Sequence, residues 1–312
     1  MSSDASAAAL SPITNGTVVN LVSREADASN GHHPSLSEVC ADLHNRVQRF
    51  LAARSDEKYK SSTQEQTRIA LQVIQRALRD YSFEELSFSY NGGKDCLVLL
   101  VLYLAVLHTH FQQMKSVPTT IPSVYVKSPD PFPQVTDFVE TSSKQYHLDL
   151  VGIATNPGTS PTLSKARSHA DPPNTDNQPE KVTFRDAFEI YLKSHPQVKA
   201  IFVGTRRTDP HGGKLTHFDR TDHNWPDFMR IHPVIDWKLS EIWCFLRAEE
   251  LGAVSGKGLD YCSIYDEGYT SLGGIGDTAR NPRLRYIDEQ GREQYHPAYM
   301  MVEDEEERRG RE

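Results

Sequence analysis

From residue 35 onward the chain alternates between two hydrophobic rhythms. Leu36, Val39, Leu43, Val47, Phe50 and Leu51 recur at helical spacing behind Ser35-x-x-Glu38. That pair is a capping box, in which two side chains satisfy the first free N–H groups of a helix. Thr63-x-x-Gln66 is a second box and predicts a helix running to about residue 80. The period then falls to two: Leu86, Phe88 and Tyr90 alternate with Ser87 and Ser89, which predicts a strand. Gly92-Gly93 supplies a turn, and the apolar run behind it predicts a helix from 95 to about 113. The alternation continues with strands over 123–127, 148–153 and 200–204, and with helices over about 134–147, after Thr183, and over 237–251.

Short apolar strands separated by helices need a parallel sheet covered on both faces. The expected fold class is therefore α/β, with a doubly wound, mostly parallel sheet. Residues 1–34, rich in Ser, Ala, Asn and Asp, read as a disordered leader. Residues 154–181, rich in proline and small polar residues, read as a surface insertion, and from about 251 the chain reads as an irregular extension. Residues 35–312 are expected to form one domain. Ligands of such sheets bind at the carboxyl ends of the strands, so function is to be sought just after residues 90, 126, 153 and 204.

Composition removes several classes. The chain is 38% hydrophobic and 24% charged, with a net charge of −8, so it is neither fibrous nor wholly disordered and offers no broad basic surface for nucleic acid. Part of that charge lies in the tail, where residues 303–312 hold six acids and three arginines. Cys40, Cys96, Cys244 and Cys262 are scattered, with no C-x-x-C pair, which fits a reducing compartment. The longest apolar run, 97–107, is short of the ~20 residues of a membrane span. No basic-then-apolar signal opens the chain. A cytoplasmic monomer without nucleic-acid or membrane partners is expected.

Two of the four strand ends carry unusual chemistry. Ser89-Tyr90-Asn91-Gly92-Gly93-Lys94-Asp95-Cys96 sets two glycines where a strand becomes a helix, so the backbone can approach a ligand and helix N–H groups face an anion. Lys94 adds a mobile positive charge, and Asp95 is either a cap or a carboxylate beside a magnesium ion. The spacing is not that of a Walker loop. A tight turn with an Asp cap is the plainer alternative, and Cys96 reads as packing. At the second strand end, Gly204-Thr205-Arg206-Arg207-Thr208-Asp209-Pro210 sets two arginines and a carboxylate where phosphate and a metal ion can be handled. Downstream, Trp225 and Phe228 can stack on a planar ring with Arg230 donating to it, although an aromatic pair is more often core.

The first segment resembles the PP-loop of the ATP pyrophosphatase superfamily, Ser-Gly-Gly-Lys-Asp-Ser, with Asn91 and Cys96 at the two serine positions. Members of that superfamily grip the terminal pyrophosphate of ATP there and break the α–β bond. The longer form, Ser-Tyr-Asn-Gly-Gly-Lys-Asp-Cys, is similar to eukaryotic, fungal-type FAD synthases, relatives of phosphoadenylylsulfate reductase. Four further stretches resemble the same family in the same order. They are the Gly204–Pro210 run quoted above, Asp222-x-x-Trp225-Pro226-x-Phe228-Met229-Arg230 with Pro233-x-x-Asp236-Trp237 behind it, the stretch 261–273, and Glu307-Arg308-Arg309-Gly310-Arg311.

The resemblance implies a phosphoadenylylsulfate reductase-like (adenine nucleotide α-hydrolase-like) fold and the reaction FMN + MgATP → FAD + pyrophosphate. It implies ATP phosphates on Asn91, Gly92, Gly93 and Lys94, with Ser89, Tyr90, Gly204 and Arg206 around them, and adenine against the backbone of Val126 and Lys127. The flavin would meet Asp222, Trp225 and Arg230, with Asn91, Asp95, Asp209, Arg308 and Arg311 nearby. Asp95 and Asp209 would hold Mg²⁺ or orient the flavin, and Arg308 and Arg311 would clamp the phosphates; these four are the implied catalytic set. Two rivals remain. A phosphoadenylylsulfate reductase needs a reactive C-terminal cysteine, and no cysteine follows Cys262. A catalytically silent flavin or nucleotide carrier has no need of Lys94, Asp95, Arg206 and Asp209 together.

Overall fold

The computed structural model describes residues 18–20, 33–155 and 182–311, for the first three the backbone alone, and is built round a seven-stranded sheet. In chain order its strands are β1 (Val18–Asn20), β2 (Leu86–Ser89), β3 (Ile121–Lys127), β4 (Leu148–Ala154), β5 (Ala200–Phe202), β6 (Phe218–Arg220) and β7 (Met229–Ile231). In space they run β1-β4-β3-β2-β5-β7-β6, with the five central strands parallel and both edges antiparallel. The helices are α1 (Leu36–Ala52), α2 (Lys60–Asp80), α3 (Lys94–Phe111), α4 (Pro133–Gln145), α5 (Phe184–Ser194) and α6 (Leu239–Arg247).

α1 starts where the sequence says it should: Ser35 caps Glu38, and Leu36, Cys40, Leu43, Val47 and Phe50 form its buried stripe. α2 begins three residues before its predicted box. Thr63 is buried and its hydroxyl donates 2.7 Å back to the Tyr59 carbonyl, so it cannot cap. α3 is apolar on every side because α1, α2, α6 and the sheet surround it. Its 18 residues and mean hydropathy of 1.5 are long and apolar enough to cross a membrane, yet here it is the buried central helix. Each enclosed leucine or valine contributes roughly 1.5–3 kcal/mol.

Two cores flank the sheet. α3 and α4 share the larger one with α1, α2, α6 and the C-terminal extension. α5, which follows a capping box at Thr183, covers the other face through Ala187, Phe188 and Tyr191 against Val124, Val151 and Ile201. Chain passing β2-α3-β3-α4-β4 travels one way along the sheet, and α5 returns on the opposite face to place β5 beside β2. The direction of winding reverses between β2 and β5. In a doubly wound sheet that is where a crevice opens at the carboxyl ends.

Several readings need correction. Val18–Asn20, inside the stretch read as a leader, pairs antiparallel with β4; an edge strand takes its hydrogen bonds from a neighbour and needs no pattern of its own. The rest of 1–32, and the body of the insertion at 156–181, lie outside the described residues. β6 and β7 went unpredicted because they are three-residue strands carrying Asp219, Arg220 and Arg230, which alternation does not reveal. The stretch from 251 is more ordered than its composition suggests. It holds a hairpin, β8 (Arg285–Ile287) with β9 (Glu293–Tyr295), and sends Leu259, Cys262, Ile264, Tyr265, Leu284, Ala298 and Met301 into the larger core.

Candidate active site

The loops after β2 and β5 meet at the reversal point. Gly92 takes a left-handed φ of 73°, and a Cβ there would lie 2.8 Å from Val139 Cγ2, so both conformation and space demand glycine. Asn91 Oδ1 accepts the Gly93 N–H at 2.9 Å, and Tyr265 OH accepts the Lys94 N–H at 3.0 Å. Gly204 lets the second loop lie on the start of α3; a Cβ there would stand 2.7 Å from Cys96 Sγ. Between the loops is a cavity of about 150 Å³, below the ~300–1,000 Å³ of pockets that enclose a whole drug-sized ligand. It suits the phosphate end of a nucleotide. Asn91, Gly93, Asp95, Gly204 and Asp209 line it from the sheet side, and Tyr265, Ser271, Leu272 and Arg308 close it from the C-terminal extension.

Beside the cavity, and sharing Lys94, Asp95 and Glu307 with its lining, lies a largely buried ion network. Arg206 is fully buried and reaches three carboxylates: Asp95 Oδ1 at 2.6 Å through Nε, Asp304 Oδ1 at 2.8 Å through Nη1, and Glu307 through Nη2. Lys94, 2% exposed, pairs with Asp95 Oδ2 at 3.0 Å and with Glu307 Oε1. Asp304 Oδ1 also accepts the Leu239 N–H at the start of α6, at 2.8 Å. The Asn281 amide, fully buried, donates to the Glu306 carbonyl at 2.8 Å and to the Glu307 carbonyl at 3.2 Å, and Thr270 Oγ1 donates to the Glu307 carbonyl as well. The acidic tail is thus folded into the site.

Burial disfavours charge on Lys94, but Asp95 and Glu307 outweigh it and hold the ammonium protonated well above its ordinary range. Burial likewise works against Asp95 as an anion, yet Lys94 and Arg206 keep its carboxyl below the usual value. Asp95 therefore stabilises the fold above the carboxylate range, and that stability is lost as pH falls through its lowered folded-state value. Asp209 goes the other way: burial, then the Asp95 charge, raise its carboxyl. A raised carboxyl binds its proton more tightly folded than unfolded, so stability falls as pH rises through the range from its ordinary to its raised value. The raised carboxyl makes Asp209 a net cost to the ligand-free protein as pH rises, even with the Arg206 N–H donating to Oδ2 at 2.8 Å and Arg308 3.5 Å from Oδ1. Asp209→Asn is accordingly expected to match or exceed the wild type in melting temperature while losing activity; a clear drop in melting temperature would show that this charge is compensated. Burial pushes the Cys96 thiol up to about 12, so no thiolate stands at the helix start near neutral pH.

Of the residues the sequence pointed to, Asn91, Gly93, Lys94, Asp95, Gly204, Asp209 and Arg308 come together around the cavity, and Gly92 shapes the loop. Four expectations fail in detail. Lys94 is not mobile, and its charge and that of Arg206 are neutralised inside the protein. Tyr90 is buried, its hydroxyl 2.8 Å from Ser142 Oγ, and belongs to the core; Ser89 is half-buried at the end of β2. Asp95, the residue proposed for Mg²⁺, has both oxygens engaged by cations. Arg311 sits beside the cavity rather than in it, donating 3.0 Å to Thr278 Oγ1.

The aromatic segment lies elsewhere. Residues 221–228 form the β6–β7 turn, and the antiparallel register Arg220↔Met229 puts them at the amino end of β7. Asp222 is exposed there, and Trp225 packs against Phe184 and Phe188. Phe228 stacks on Phe188 in the core, as the plainer reading of that pair holds. Strand pairing still links this segment to the loop: Ser87, Ile201 and Arg230 stand opposite one another across β2, β5 and β7 and therefore share the α5 face, as do Val124 and Val126. Lys127 ends β3 beside them. Sequence reasoning missed Asp304, Glu307, Tyr265 and Asn281. Glu307 and Tyr265 stood inside quoted motifs, but nothing marks one glutamate among the acids of the tail.

A doubly wound sheet, a glycine loop at its reversal point and a phosphate-sized cavity define a nucleotide-binding domain of the phosphoadenosine phosphosulfate reductase type, and that domain family matches residues 85–280. The chain belongs, within that type, to the FAD synthase family. It is 36% identical to a probable FAD synthase of Schizosaccharomyces pombe over 244 residues, 78% of this chain and 77% of that one. It is 33% identical to the flavin adenine dinucleotide synthase of Saccharomyces cerevisiae over 267 residues, 80% and 76% of the two chains. Its fold superposes on the Candida glabrata FMN adenylyltransferase solved with FAD and inorganic pyrophosphate, with a TM-score of 0.71, 28% identity and coverage of 89% and 97%.

Proposed function

We propose that the β2/β5 crevice transfers the adenylyl group of MgATP to FMN. An FMN phosphate oxygen attacks the α-phosphorus of ATP, the bond from the α-phosphorus to the bridging oxygen breaks, and pyrophosphate leaves with the electron pair. The attacking oxygen is already anionic near neutral pH, so the chain need supply neither a base nor a nucleophile. What it must overcome is the repulsion between two polyanions, by positioning and by neutralising charge. The observation that carries this reading is the cavity itself, with the glycine loop on one wall and Arg308 on the other.

In this reading the pyrophosphate end of ATP rests on the loop from Asn91 to Asp95, with Arg308 across from it and Arg311 behind. Adenine lies against Val126 and Lys127, and the flavin ring reaches toward Arg230, Trp225 and Asp222. Lys94 and Arg206 act indirectly, by fixing Asp95 and the tail. Among the described residues no group of three or more His, Cys, Asp and Glu side chains could hold a metal ion by itself. A magnesium ion would therefore share its ligands with the ATP phosphates. Asp209, which faces the cavity with only an Arg206 N–H at 2.8 Å and the long Arg308 pair at 3.5 Å on its oxygens, fits that ion better than Asp95; when bound, the ion would offset phosphate charge. Free Cys40, Cys96, Cys244 and Cys262 are in keeping with a reducing, cytoplasmic setting.

Mixing the protein with FMN, ATP and MgCl₂ is expected to yield FAD and pyrophosphate one for one, and EDTA to stop the reaction. Turnover that survives EDTA would remove the metal from this account. Tight FMN binding with no FAD formed would favour a silent carrier.

A further inference from the structure

Glu307 is only 4% exposed, yet it belongs to a tail held by short turns rather than by a helix or strand. Its carboxylate meets both Lys94 and Arg206, two cations sealed from solvent, and its carbonyl is held by Thr270 and the buried Asn281. The next residue, Arg308, turns its guanidinium to the cavity, 3.5 Å from Asp209 and 39% exposed. We propose that Glu307 is a positioning residue for adenylyl transfer, fastening the tail to the floor of the crevice so that Arg308 is held over the reacting phosphates.

The physical case is one of ordering. An arginine on an unfastened tail would have to lose backbone and side-chain freedom each time substrate bound, whereas a fastened one has lost it on folding. The network divides the labour accordingly. Lys94 and Arg206, which the loop motif would assign to phosphate, hold Glu307, and Arg308 is left to meet the ligand. The inference rests on the reading that Arg308 acts on the phosphates of ATP and FMN.

The test is a double-mutant cycle on the full chain: wild type, E307Q, R308A and E307Q/R308A, with kcat and the ATP KM measured at saturating FMN. E307Q keeps the side chain's shape and removes its charge. It is expected to lower kcat by about 10²-fold, the effect of displacing a catalytic group by about 1 Å, with the ATP KM moving less than about 3-fold. The double variant is expected to turn over within about 2-fold of R308A, because a residue that acts through Arg308 has nothing left to position. If E307Q melts below the assay temperature, E307D enters the same cycle and is judged by the same criterion. Losses that multiply would overturn the proposal. So would an E307Q enzyme with undiminished kcat and a lower ATP KM, since Glu307 would then be a competitor for the phosphate site. A wild type that forms no FAD counts against the functional reading; a wild type that forms FAD with a multiplicative cycle counts only against Glu307.

Discussion

Arg206→Ala is expected to remove about 3–5 kcal/mol of folding stability, the loss that follows when one member of a buried ion network goes and its partners stay behind. Asp95, Asp304 and Glu307 all face the Arg206 guanidinium, and Lys94 alone cannot balance three carboxylates that are largely withdrawn from water. Against a total stability of roughly 5–15 kcal/mol for a typical protein, that is a large share. The urea midpoint is expected to fall by about 1–2 M, and Arg206→Lys to recover only part of it, because an ammonium cannot reproduce the three-way fork. A midpoint within a few tenths of a molar of wild type would show that the network contributes little to folding. Low pH is expected to act in the same direction, since protonating Asp95 unpairs Lys94 and Arg206.

Arg308→Ala is expected to show the opposite profile, a fall of about 10²–10³-fold in kcat with little change in melting temperature. Its guanidinium is part-exposed and makes one long pair with Asp209, an arrangement worth about 0–1 kcal/mol to the fold. Nothing in the core depends on it. Its value is to stand across a cavity whose other charges are already balanced or negative, where it meets developing phosphate charge without reorganising. Rates at saturating FMN and ATP decide the matter: turnover near wild type would remove Arg308 from the chemistry. Arg309, ion-paired with Glu306, points away from this role and serves as the internal control.

The fold and the site were legible in the sequence to different depths. The capping box at Ser35, the helix start after Thr183, the alternation through Leu86 and Phe88, and the glycine turn before α3 are local signals, and each fixed an element where it stands. β6 and β7 are short charged strands at a sheet edge, with pairing partners far along the chain, and no local rhythm betrays them. At the site, Asn91, Gly92 and Asp95 were visible because a loop between strand and helix constrains residue type tightly, and Asp209 because it closes a charged run just past the end of β5. The burial of Lys94 and Arg206 was not, because it depends on Asp304 and Glu307 more than 90 residues beyond Arg206. A tail that composition describes as solvated acid is instead part of the wall of the crevice, and only the folded chain shows which of its acids turn inward.

Transfer of label from ATP bears most directly on the central claim. With FMN, Mg²⁺ and ATP labelled at the α-phosphate, the protein is expected to place the label in FAD and release unlabelled pyrophosphate in equal amount. Arg308→Ala should do so far more slowly. FMN bound tightly while the label stays in ATP, or leaves as free AMP or ADP, would contradict adenylyl transfer at this crevice.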